Sequence, residues 1–175
     1  MDIFIINKSN VNNIKHDLLK QFQFKDITNE EKLKEHCFAY LMLDRILKEF
    51  YKTDNRAIEF VNKKPYLKNR EKFFSISHSE EFLAIGFSDN ECGIDIEKIK
   101  DRNFLSIAKR MKFDCNTLEE FYKAWTKYEA EYKLGEKSKS IKQIILEGYA
   151  ITALSNNIKE DFIIYIQNGE TFSNL

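Results

Sequence analysis

Proline and glycine are scarce, with one Pro and five Gly in 175 residues. No Pro/Gly-rich stretch can serve as a flexible linker, so one compact unit over residues 1–175 is expected. Cysteine is equally sparse. Cys37, Cys92 and Cys115 are odd in number and form no C-x-x-C pair. That argues against a disulfide framework or a cysteine zinc site, and for a reducing compartment. There is no excess charge of either sign, because 28 Lys+Arg balance 28 Asp+Glu. Wholesale wrapping of a polyanion needs a basic excess, so nucleic acid is not an expected partner. No apolar run approaches the ~20 residues of a membrane span. The segment Met1–Lys8 carries no basic leader and reads as a first strand rather than a signal peptide. The expectation is a soluble cytoplasmic protein with no membrane partner.

What is present is core material: 43% hydrophobic residues, with 15 Phe and 8 Tyr. Residues 3–6 read as a strand. Leu33, Phe38, Leu41, Ile46, Leu47 and Phe50 recur at helical spacing and predict a helix over 30–52, with Thr28 and Glu31 as a capping box. Ala57–Val61 reads as a strand and Lys63–Tyr66 as a turn or extended element. Phe73–Ser77 and Phe82–Phe87 read as strands flanking His78, which a turn would project outward. Cys92–Glu97 alternates with period two. Helices are predicted over 103–111 and 117–133, the second with a Thr117/Glu120 capping box and Gly135 as terminator. Strands are expected at 141–146, 148–154 and 161–167. Strands and helices mix without a β-α-β rhythm, which gives α+β as the fold class.

Asp95 and Glu97 stand two apart on a strand, so their side chains share a face, and the small Gly93 on that face leaves room beside them. Two carboxylates ~4 Å apart repel by about 4 kcal/mol at an effective dielectric of ~20. A divalent cation would offset that, and a solvated strand face is the alternative. Trp125, Glu129 and Lys133 fall at i, i+4 and i+8 on one helix face. If that face meets the strand, Glu129 adds a third carboxylate to a donor set suited to octahedral Mg²⁺. Lys133 would then stand where an anion on the metal could be held. The alternative for Glu129 and Lys133 is a surface ion pair. Ser77-His78-Ser79 offers an imidazole and hydroxyls for phosphate oxygens, or a turn histidine with ordinary partners. The in-line geometry of a Ser-His-Asp triad is not available from adjacent residues.

Taken together, these motifs are recognisable. Gly93-Ile94-Asp95-Ile96-Glu97, followed along the chain by Trp125-Thr126-Lys127-Tyr128-Glu129-Ala130-Glu131-Tyr132-Lys133, resembles the signature pair of the 4'-phosphopantetheinyl transferase superfamily. Phe74-Ser75-Ile76-Ser77-His78-Ser79 is similar to its F-x-x-S-H-S motif. Lys63-Lys64-Pro65 is similar to its G-K-P element, with Lys63 in place of Gly. The resemblance runs from about residue 35 to residue 137. It implies the two-half, monomeric branch, with similar α+β halves at 1–88 and 89–175 related by a pseudo-twofold axis. It further implies Asp95, Glu97 and Glu129 as Mg²⁺ ligands, Glu129 also as base, and Lys133 on the pyrophosphate. Ser77, His78, Lys64 and, by spacing alone, Arg45 would contact the phosphates of coenzyme A. One departure stands out: the family's lysine before the glutamate is Tyr128 here, and Lys127 lies one position earlier.

The implied reaction moves the phosphopantetheine arm of coenzyme A onto a serine of an apo acyl or peptidyl carrier protein. Carrier proteins present acidic helices, and residues 98–113 offer a matching patch. Lys98, Lys100, Arg102, Lys109, Arg110 and Lys112 outnumber Asp101, with Met111 and Phe113 for apolar contact. A solvated helix face is the alternative for this run. Two other functions stay open: a Mg²⁺-dependent phosphoesterase or nuclease, and a non-catalytic carrier-binding member of the same fold. Against the nuclease, Ile99 holds the same-face position after Glu97 where such sites often place a lysine.

Overall fold

The computed structural model describes residues 1–9, 27–168 and 171–174. The chain is mixed α+β. In order it forms β1 (Asp2–Asn7), α1 (Glu30–Glu49), β2 (Ile58–Val61), β3 (Lys64–Leu67), β4 (Phe73–Ser79), β5 (Phe82–Ser88) and β6 (Cys92–Lys98). There follow α2 (Leu105–Met111), α3 (Leu118–Leu134), β7 (Ser140–Leu146), β8 (Tyr149–Ser155), β9 (Ile163–Asn168) and β10 (Thr171–Asn174). No helix among the described residues is long and apolar enough to cross a membrane.

A five-stranded sheet has the order β10-β9-β1-β5-β4, and a three-stranded sheet the order β6-β8-β7. The first draws β9 and β10 from the far end of the chain, with β9 parallel to β1. Strand β1 explains its own unbroken Ile3–Ile6 run, because both of its faces are covered. Phe4 and Ile6 join the core under α1, with Leu43, Ile46 and Leu47 from the helix and Phe74, Ile85 and Phe87 from the sheet. Ile3 and Ile5 point the other way, into a second core with Ile94, Ile96, Tyr149, Ile151 and Ala153 of the three-stranded sheet. Ala130 and Leu134 of α3 cover the opposite face of that sheet at Leu154. The four layers are therefore α1, the larger sheet, the smaller sheet and α3.

Local chemistry sets the element ends. The N-cap of α1 is Asn29, whose side chain accepts from the Lys32 amide at 2.9 Å; the expected Thr28/Glu31 box does not form. Asn caps as well as Ser and better than Thr, so the shift of one residue follows capping preference. The helix also stops at Glu49 rather than residue 52, where Lys52 turns left-handed at φ 55°. The capping box of α3 forms as expected between Thr117 and Glu120, and Gly135 ends the helix at φ +80°. The β2–β3 hairpin turns on Asn62 and Lys63, both at positive φ (50° and 69°). That is the type I′ geometry, in which glycine is favoured and Lys63 is an unusual occupant.

Gly93 has a different use from the one its size suggests. A Cβ there would lie 2.1 Å from the Ala130 carbonyl oxygen and 2.9 Å from the Leu134 amide nitrogen. The space beside Asp95 is filled by the backbone of α3. Replacing Gly93 with Ala should cost roughly 1–3 kcal/mol, the range for overpacking a tight contact. Urea unfolding checks this, and a variant as stable as the parent would show that α3 does not seat on this residue.

Candidate functional site

The close seat of α3 on Gly93 brings Lys133 across β6. Its ammonium donates to Asp95 Oδ1 at 2.8 Å and to the Ile94 carbonyl at 3.1 Å. Asp95 lies on the same strand face as Gly93, with its side chain only 5% exposed. Its Oδ1 also accepts from the Ser77 hydroxyl at 2.7 Å. Its Oδ2 is buried without a hydrogen-bond partner. An unsatisfied buried oxygen costs about 1–3 kcal/mol, more when charged. Glu97, two residues on, accepts from Ser79 Oγ at 3.0 Å. Burial pushes the Glu97 carboxyl above its usual range, and the Asp95 charge adds to the shift.

Glu129 is half-buried one turn before Lys133, and its charge also raises the Glu97 pKa. It does not close up with the strand pair: among the described residues, no three of His, Cys, Asp and Glu are gathered to hold one metal ion. The helix face predicted to meet the strand does so, but its contact with Asp95 runs through Lys133. The donor set nevertheless suits a hard cation, since Asp95 and Glu97 offer only carboxylate oxygens and one of them is buried and unpartnered.

These groups stand in the wall of an open cleft of about 1370 Å³. Asp95, Glu97, Lys133, Ser77, His78 and Lys64 all line it. Lys64 is tied to Glu91 at 2.6 Å and reaches the Leu134 carbonyl at 3.4 Å, so it stitches β3 to the end of α3. Ser77 is buried, and its single donor hydrogen is engaged by Asp95. Arg45 is not among the cleft residues; it pairs with Glu49 on the same helix at 2.9 Å. His78 belongs to β4 rather than to a turn, which falls instead at Glu80-Glu81. Its side chain is 40% exposed.

Sequence reasoning missed the surroundings of His78. Lys8 is buried, with its ammonium on Glu35. Glu35 Oε2 lies 3.9 Å from His78 Nδ1. The His36 ring is 6.4 Å from that of His78. Nothing local in the sequence marks this group, because Lys8, Glu35 and His78 come from three separate elements. Tyr128 packs against Phe113 and Trp125 (6.2 and 6.3 Å between ring centres). The Lys127 ammonium lies 3.9 Å from Glu131 on the exposed side.

Neither a comparison with protein-family models nor one with curated proteins finds a significant match for this chain.

Both imidazoles are held below their ordinary value of 6.5. Burial is the first cause for each, with the Lys32 charge adding to it at His36 and the Lys8, His36 and Lys133 charges at His78, against the opposing pull of Glu35. As pH falls through 6.5, the unfolded chain therefore takes up these protons before the folded one does. Stability held above that pH is lost toward the lower folded values. The thermal midpoint of the wild type should fall more steeply between about pH 7 and 5.5 than that of His78→Gln. Identical slopes would remove His78 from the account.

Proposed function

We propose that this chain transfers the 4'-phosphopantetheine arm of coenzyme A to a serine of an apo acyl or peptidyl carrier protein, with Mg²⁺, releasing 3',5'-ADP. The observation that carries the reading is the Asp95–Glu97 pair in the cleft wall, with Asp95 Oδ2 buried and unpartnered beside the Lys133 ammonium. It rests also on the resemblance of the motifs that supply these residues. The division into similar halves at 1–88 and 89–175 about a pseudo-twofold axis, and the monomeric state, belong to the same proposal.

Asp95 and Glu97, with Glu129 from α3, would hold the Mg²⁺. Such an ion, when bound, would supply positive charge to offset the negative charge of a phosphoryl transfer. Glu129 takes the proton of the carrier serine, directly or through a water, as the serine oxygen bonds to the β-phosphorus. The phosphorus–oxygen bond to the leaving 3',5'-ADP breaks in the same displacement. Lys133 bears on the leaving phosphate, and His78 and Lys64 on the other phosphate groups. The rim adds apolar surface from Phe60, Val61 and Tyr132, which are 58%, 44% and 80% exposed. Such a rim suits a substrate with a polyanionic end and an uncharged arm.

The carrier protein would dock on residues 98–113. Arg102, Lys109, Arg110 and Lys112 are exposed there; Met111 and Phe113 are half-buried, and the exposed apolar contacts are Leu105 (59%) and, beside the run, Tyr128 (44%). An acidic helix would be steered by these charges and seated on the apolar pair.

Intact-protein mass spectrometry tests the reading. An apo carrier protein incubated with the chain, coenzyme A and Mg²⁺ should gain the mass of the phosphopantetheine arm. Asp95→Ala and Glu129→Gln should abolish the gain while the fold persists by circular dichroism. Lys133→Ala should slow transfer by roughly 100-fold, the scale for losing one group that stabilises developing charge. Unmodified carriers across the fatty-acid, polyketide and peptide-synthetase classes would overturn the proposal.

A further inference from the structure

Strands β4 and β6 meet without a shared backbone ladder. Ser75, Ser77 and Ser79 alternate along β4 and so present their hydroxyls to one side. Those hydroxyls accept from the backbone amides of Ile94 (3.1 Å), Ile96 (3.4 Å) and Lys98 (3.0 Å) on the open edge of β6. Two of the same hydroxyls also donate, Ser77 to Asp95 Oδ1 and Ser79 to Glu97 Oε2. Ser75 makes the amide contact alone and reaches neither carboxylate. Each bridging serine thus accepts from the amide that follows a carboxylate residue and donates to that residue's side chain.

We propose that Ser77 and Ser79 are positioning residues for a divalent cation at Asp95 and Glu97, fixing the orientation of one oxygen of each carboxylate. The assignment rests on the metal site of the proposed function and deepens it. A hydroxyl has one donor hydrogen, so each donation engages one carboxylate oxygen and would leave the other for a cation. At Asp95 that other oxygen is the buried, unpartnered Oδ2. Asp95 Oδ1 is held twice, by Ser77 and Lys133, which leaves the carboxylate little freedom to rotate. Partners of metal ligands contribute to affinity in this way without touching the metal.

The test is titration of the full chain with Mn²⁺, followed by electron paramagnetic resonance of the free ion, with no coenzyme A or carrier present. Ser77→Ala and Ser79→Ala should each weaken Mn²⁺ binding roughly 10-fold, the lower end for loss of a ligand's hydrogen-bond partner. Ser79→Thr, which keeps the hydroxyl at a half-exposed position, should retain the parent affinity. Ser75→Ala removes one amide acceptor and should lower the melting temperature, yet leave Mn²⁺ affinity unchanged. A purely structural role for the ladder predicts that all three alanine variants behave alike, and that result overturns the assignment. So does undiminished affinity in Ser77→Ala and Ser79→Ala. If the wild type binds no Mn²⁺, the metal reading itself fails and this assignment falls with it, an outcome distinct from a wild type that binds and variants that bind equally.

Discussion

Strand β6 has backbone amides along two edges and a strand partner, β8, along only one. The amides of Ile94, Ile96 and Lys98 point away from β8, and leaving them unpaired would cost about 1–3 kcal/mol each where they are buried. Serine hydroxyls from β4 meet that need. A backbone ladder would have done the same, but it would have extended one sheet by another strand. Side-chain acceptors let β6 lie against β4 while its Ile94 and Ile96 side chains enter the core shared with β1. The junction thereby joins the two sheets, and the acidic pair of β6 sits in the cleft beside it.

The second constraint acts from the other side. Gly93 lets α3 approach to backbone contact, and Lys133, a turn beyond Glu129, then spans β6 to bond Asp95 and the Ile94 carbonyl. A larger residue at 93 would lift the helix and withdraw the ammonium. The G-x-D-x-E pattern is therefore three requirements on one strand face: a seat for a helix, then two carboxylates held by serines from the opposite direction. Asp95 Oδ1 is thus held from both sides, by the Lys133 ammonium and by the Ser77 hydroxyl.

Much of this was legible in the sequence because it is local. Period-two alternation marked β6, and Thr117 with Glu120 marked the start of α3, since a capping box is satisfied within one turn. Competition between neighbours was not legible. Thr28 and Asn29 can both cap a helix, and only the folded chain shows that Asn29 does so. Strand β4 ran two residues beyond its apolar run and took in His78, because its pairing with β5 continues to Ser79↔Phe82. Long-range pairings were hidden altogether. Nothing near Lys8 in the sequence announces Glu35 or His78, and nothing in Ser77-His78-Ser79 announces that its hydroxyls are taken up by β6. The serine alternation was visible; its direction was not.

Two lysines of the cleft wall are held by internal anions: Lys64 by Glu91 and Lys133 by Asp95. A polyanion entering the cleft gains from these charges only by competing with the carboxylates for them. On the proposed reading, that competition is useful at Lys133. A divalent ion held by Asp95 and Glu97 would weaken the hold of Asp95 on the ammonium and so leave Lys133 available to another anion. At Lys64 a phosphate would compete with two acceptors, Glu91 and the Leu134 carbonyl. Lys64 and Lys133 therefore differ by their partners. On the proposed reading Lys133 would change partner as the anion binds, while Lys64 also keeps β3 fastened to the end of the helix that carries Lys133.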